Sequence, residues 1–218
     1  MMREGFLIEL AELKQEIMLL GEMVGKAFEE VLHGMEHEDY AKFDSVIAHD
    51  KAVNDLELEI NEKATLLIAK QQPVASDLRK IIVALKISSD LERVGDLAVD
   101  MSKAAKRLES SEHLQNHQPN LMEMATKTKI MLKEVLKAYN QSNVLEAQHI
   151  ANTDDEVDEA YGNFVKSIFN VVVKEQETSE WVIQMAYISR YIERIADYCT
   201  NIAEWIIYEV NGQRFDLN

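Results

Sequence analysis

Apolar residues recur at Leu10, Leu13, Ile17, Leu20, Val24, Phe28, Val31 and Leu32 with the three-to-four spacing of one helical face, predicting a first helix from about residue 6 to 35. Gly34 and the polar run to Asp39 are expected to end it. A second pattern runs through Tyr40, Phe43, Ile47, Val53, Leu56, Ile60, Leu67 and Ile68 to Gln72, where Pro73 stops it. Pro73 suits the first turn of a third helix, with Asp77 near the positive end of the macrodipole and an apolar series from Ile81 through Met101 to about Leu108. Residues 110–119 read as a linker. Three more helices are predicted at about 120–140, 143–174 and 179–210, separated by polar breaks at 140–143 and 175–179.

The second half repeats the first. At an offset that lays Glu92 on Glu193, Leu91-Glu92-Arg93-Val94-Gly95-Asp96 falls on Ile192-Glu193-Arg194-Ile195-Ala196-Asp197, and Ile82, Ile87 and Ser88 fall on Ile183, Ile188 and Ser189. At a slightly different offset Asp50, Val53 and Asn54 fall on Asp154, Val157 and Asp158. The expected fold is therefore all-α, two tandem three-helix bundles of six long helices, over residues 1–110 and 118–218.

Composition narrows the function. The chain has 218 residues, 47% of them hydrophobic, enough for a sizeable core. Only two prolines and seven glycines interrupt it, which favours long helices. A net charge of −16, from 39 acidic against 23 basic residues, argues against nucleic acid as a partner, since phosphate backbones need a positive surface. The single cysteine, Cys199, lies in an apolar helical pattern and reads as a buried hydrophobe. No apolar run of about 18 residues and no secretory leader is present, so a cytoplasmic location is expected.

Side chains four apart share a helix face, so Glu92, Asp96 and Asp100 form an acidic column, and Glu193, Asp197 and Asn201 form its counterpart. Like charges at this spacing destabilise a helix by roughly 0.2–0.5 kcal/mol per pair, so positive charge is wanted nearby. Arg93 and Arg194 stand about 100° round the helix from their glutamates and are expected to reach neighbouring helices instead. Asp50 with Asn54, and Asp154 with Asp158, repeat the same geometry on helices that should pack alongside. These oxygen donors favour hard cations such as Mg²⁺, Mn²⁺ or iron over a structural zinc. The bland alternative is a pair of solvated faces laced by salt bridges.

The repeated Glu-Arg-[Val/Ile]-[Gly/Ala]-Asp motif, the run Gln72-Pro73-Val74-Ala75-Ser76-Asp77-Leu78-Arg79 before its first copy, and Asp50-Lys51-x-Val53-Asn54 together resemble the PhoU family of phosphate-signalling regulators, over the whole chain. The resemblance implies two three-helix bundles carrying multinuclear clusters of divalent or trivalent metal ions, iron foremost, with Mn, Mg or Zn as alternatives. The ligand positions it implies are Asp50, Asn54, Glu92, Asp96 and Asp100, and Asp154, Asp158, Glu193, Asp197 and Asn201. It further implies a negative regulator without turnover, acting between the ATPase subunit of a phosphate ABC transporter and a sensor histidine kinase. Such a protein meets the membrane through its partners and can form a homodimer. The second half lacks the Gln-Pro start and has Asn201 in place of Asp100, so its cluster is expected to be weaker or differently loaded.

Two rival readings exist. Glu30-x-x-His33 and Glu146-x-x-His149 match the motif that ferritin-like di-iron carboxylate enzymes use in pairs. An accessory subunit of another phosphate transporter, without kinase partners, is the other. Gly95 within a helix predicts close approach of a neighbouring helix. The ten methionines, with Trp181, Tyr187, Tyr191 and Trp205 at helical spacing, predict core or bundle-interface packing. Neither a nucleophile elbow nor a Gly-rich phosphate loop is present, and a protein this acidic is expected to meet phosphate only through bridging metal ions.

Overall fold

A computed structural model of the chain describes residues 2–108, 112–170 and 176–217. Six helices follow one another: α1 Met2–His37, α2 Tyr40–Gln71, α3 Ser76–Ala105, α4 Glu112–Gln141, α5 Val144–Phe169 and α6 Gln176–Asn211. Helices α1–α3 pack as one bundle and α4–α6 as a second, joined where α3 meets α6 and α1 meets α4. Arg79 near the start of α3 reaches the Glu209 carbonyl near the end of α6, so the two motif helices run antiparallel across the seam. The core is largely aliphatic and continuous, with Ile17, Phe28, Ile87, Leu91, Ile192 and Ile202 all essentially inaccessible. Cys199 is buried among them, as its pattern predicts. No helix among the described residues is long and apolar enough to cross a membrane.

Helix junctions depart from the sequence reading in physically simple ways. Gly34 does not end α1. It lies inside the helix where a Cβ would come within 2.7 Å of the Phe43 ring, so it serves the close return of α2. The turn is made by Glu38, at positive φ, and Asp39, whose carboxylate accepts from the Ala41 N–H as the N-cap of α2. Pro73 stands before α3 and not in its first turn. Gln72 takes the left-handed conformation to cap α2, its N–H donating to the Ile68 carbonyl, and the chain turns through Pro73 and Val74 before Ser76 starts α3.

The predicted linker is largely helical. α4 begins at Glu112 and carries Pro119 inside it. Tertiary contacts outweigh the local composition: Gln118 donates to the Met35 carbonyl at 2.8 Å, His117 packs on Phe164 and Trp181, and Leu121 is fully buried. Asn143 caps α5, accepting from the Leu145 and Glu146 N–H groups. The predicted end of that helix near 174 lies outside the described residues.

Gly95 behaves as its position suggests. A Cβ there would meet Val53 at 3.2 Å and Val24 at 3.4 Å, so α1 and α2 both close on α3 at this level. Gly95→Val is expected to lower the melting temperature by several degrees, since overpacking a core costs about 1–3 kcal/mol. Gly95→Ala should stay within about 1 kcal/mol of the parent, because gained helix propensity offsets the tight contact. Thermal denaturation followed by circular dichroism separates the two cases.

Candidate metal centre

The heptad-like stripe of α2 that buries Phe43, Val46, Val53, Ile60, Ala64 and Leu67 passes through Asp50 and Glu57. In α5 the equivalent stripe of Ala147, Ile150, Val157, Phe164 and Ile168 passes through Asp154 and Tyr161. Helix geometry therefore drives carboxylates onto faces that otherwise bury apolar side chains, directly opposite the acidic columns of α3 and α6.

In the first bundle the structure brings Asp50 up to Asp96 and Asp100. Burial, and then the Asp96 charge, push its carboxyl above the ordinary range. Asn54 is exposed and donates to Asp50 Oδ2 at 3.2 Å, while Asp50 Oδ1 is buried with no hydrogen-bond partner. Glu92 is raised by burial, with Asp96, Glu57 and Asp50 adding to the effect and Arg93 opposing it. Asp100 pairs with Lys103 at 3.1 Å.

In the second bundle Asp158, Glu193 and Asp197 each offer a carboxylate oxygen within 4.8 Å of the others. Asp154 and Glu193 are 5% and 7% exposed, and Asp154 Oδ1 and Glu193 Oε2 have no hydrogen-bond partner. Burial pushes Asp154 up to about 6, with Thr200 beside it opposing and Asp158 and Asp197 adding. Burial, then Asp197, raises Glu193 to about 7. Burial also raises Asp197. Asn201 lines a different hollow, with Asp90, Trp205 and Arg214.

The arginines do not reach across to neighbouring helices. Arg93 folds back over its own helix to Asp96 at 2.8 Å and Glu92 at 3.4 Å, and Arg194 sits 3.8 Å from Asp197 and 3.2 Å from the Tyr198 hydroxyl. The reason is reach: a guanidinium on a long stem spans the 100° step that its Cα position suggests it cannot. Arg190 was not singled out by the motif, yet it pairs with Glu193 and lies over the Tyr161 ring. Glu57 was also missed, although its place on the α2 stripe, seven residues after Asp50, is a legible signal.

The donor set fits hard cations. Buried carboxylate oxygens without partners, facing other carboxylates, are costly in a low-dielectric setting unless protonated or neutralised by a cation. All are oxygens, as Mg²⁺, Mn²⁺ or iron prefer. The Glu-x-x-His motifs offer no such convergence. Glu30 pairs with Lys42 and Glu146 with Lys137, His33 and His149 are exposed, and the two motifs lie at opposite ends of the molecule. Of the aromatic residues, Trp181 is buried but Tyr187 is 51% exposed and stacks on Tyr191, so it does not serve core packing.

The PhoU domain family model matches residues 17–105 and 121–206. The phosphate-specific transport system accessory protein PhoU homolog of Clostridium acetobutylicum is 36% identical over 219 residues, covering 100% of both chains. The phosphate-specific transport system accessory protein PhoU of Escherichia coli is 35% identical over 213 residues, covering 96% of this chain and 87% of that one. Among solved structures, the phosphate transport system regulatory protein PhoU from Streptococcus pneumoniae superposes with a TM-score of 0.88 at 31% identity, over 97% of this chain and 99% of that one. PhoU from Pseudomonas aeruginosa gives 0.87 at 27%, over 95% and 100%. The first three relatives are named as accessory or regulatory proteins and not as enzymes. With both motif-bearing halves matched and relatives similar over nearly their whole lengths, the chain belongs to the PhoU family.

Proposed function

We propose that this protein is a regulator of phosphate transport that works by protein contacts and carries metal ions on its two carboxylate columns. The family membership and the names of its relatives, phosphate-specific transport accessory proteins, support the first part. The partnerless buried oxygens of Asp50, Asp154 and Glu193 support the second, and are the observation that carries it. The ions would be held by Asp50, Glu92, Asp96 and Asp100, with Asn54, in the first bundle. Asp154, Asp158, Glu193 and Asp197 would hold them in the second, while Asn201 lines the neighbouring hollow with Asp90. A bound cation supplies the charge that these carboxylates lack and ties α2 to α3 and α5 to α6.

The finer reading is a negative regulator of phosphate uptake and phosphate-starvation signalling. It acts as an adaptor between the transporter's ATPase subunit and a sensor histidine kinase, with no turnover of its own. Affinity purification of the full chain from phosphate-replete and phosphate-starved cells tests it. Both partners should co-purify, with the proportion changing between conditions. Recovery of a transporter without any kinase would favour the accessory-subunit reading, and recovery of neither would overturn the adaptor.

A further inference from the structure

About 18 Å along α3 from Glu92, at 1.5 Å per residue, the seam between the bundles opens into a second hollow. It has a volume of about 260 Å³ and is built from four helices. Its polar lining is Lys14 of α1, Lys80 of α3, Tyr139 and Ser142 at the end of α4, and Glu209 of α6, set against an apolar wall that includes Leu10. In a chain of net charge −16 this is a place where two ammonium groups meet one carboxylate.

Lys14 is held but not neutralised. Its ammonium donates to Ser142 Oγ at a long 3.4 Å and lies 5.0 Å from the centre of the Tyr139 ring. An ammonium carries three donors, so this leaves hydrogen-bonding capacity facing the hollow. Among the described residues neither Lys14 nor Lys80 is in salt-bridge contact with a carboxylate; Glu209 acts on both only at longer range. Burial pulls the Lys14 ammonium below its ordinary value; Glu209 opposes this, and Lys80 adds a smaller push in the same direction as burial. Two ammonium groups share this hollow with one carboxylate that touches neither, which leaves positive charge for an incoming anion to meet.

We propose that this interbundle hollow binds a small phosphoryl oxyanion, either inorganic phosphate or a phosphate monoester, between Lys14 and Lys80, with the Ser142 hydroxyl as an additional donor. Glu209 attracts both ammonium groups and so lowers the net positive charge that the anion meets. Because α1, α3, α4 and α6 all contribute, an anion seated there bears on the docking of one bundle against the other. The site is distinct from the carboxylate columns and does not depend on the metal reading.

The test is isothermal titration of the full-length, chelator-treated protein with inorganic phosphate and, separately, with glycerol phosphate. One saturable site per chain is expected, weakened by added salt. Whichever anion binds more tightly identifies the source. Lys80→Ala, at an exposed position, and Lys14→Met should together weaken binding by roughly tenfold or more, the loss expected for removed charge-assisted contacts. Glu209→Gln should tighten it several-fold. Should Lys14→Met lose helicity, Lys80→Ala and Glu209→Gln carry the test alone. Absence of saturable heat from either anion would overturn the proposal. So would affinities left unchanged by both Lys80→Ala and Glu209→Gln.

Discussion

Stripped of metal, the protein is expected to melt several degrees higher at pH 5.5 than at pH 7.5. Glu193 and Asp154 are raised from ordinary values of 4.5 and 3.8 to about 7 and about 6, chiefly by burial. A carboxyl raised on folding binds its proton more tightly in the folded state than in the unfolded one, so protonation favours folding. The stability it contributes is full at low pH and is lost as pH rises from the unfolded value through the folded one, between about 4.5 and 7 for Glu193. Each unit of such a shift corresponds to about 1.4 kcal/mol. A kilocalorie moves the midpoint of a chain this long by about 2–4 °C.

Saturating Mn²⁺ should reverse the order, because metal needs the ionised carboxylates and protons compete with it. The double variant Asp154→Asn with Glu193→Gln should flatten much of the metal-free profile, leaving the share of the other carboxyls that burial raises: Asp90, to about 6, and Asp50, Glu92, Asp197 and Glu209. A metal-free protein that loses stability steadily on acidification across this window would refute the account of buried, unneutralised carboxylates.

The two columns should not load alike. In the first bundle Glu57 on α2 adds a further carboxylate beside Glu92, and Ser89 stands one turn before it. In the second, the matching positions are Tyr161 and Arg190, and the Arg190 guanidinium lies over the Tyr161 ring while pairing with Glu193. One half has gained an acid where the other has an aromatic shelf for a base. An incoming cation must displace Arg190 from Glu193 in the second column but meets an extra negative charge in the first.

Titration with Mn²⁺ is therefore expected to resolve a tighter and a weaker class of site. Arg190→Ser, which restores the first bundle's residue, should strengthen the weaker class by roughly tenfold, about 1.4 kcal/mol. Superimposable isotherms for parent and variant would show that Arg190 does not compete for the column.

Much of this was readable beforehand because helices write their faces into the sequence at fixed spacing. The apolar stripes placed six helices, and the repeat laid Glu92 and Asp96 on Glu193 and Asp197. What escaped were effects that depend on a distant partner. The segment before Pro119 has a linker's composition, but it is helical because Gln118, His117 and Leu121 pack against residues far along the chain. Pro73 looked like a helix start, yet the positive-φ Gln72 and Ala75 that turn the chain around it have no side-chain signature. Arg93 and Arg194 were misjudged because Cα geometry understates the reach of a flexible side chain. Glu57 and Arg190 could have been found, since both sit at stripe or one-turn spacing from named carboxylates.

Metal content by mass spectrometry, on protein purified without chelators or affinity nickel, tests the central claim most directly. The comparison is with a variant in which Glu92, Asp96, Glu193 and Asp197 are all changed to Ala. Several ions per chain, lost in a variant that circular dichroism shows to be still helical, is the result this account predicts. Equal and negligible metal in both proteins would contradict it and leave the two columns as salt-bridged acidic faces.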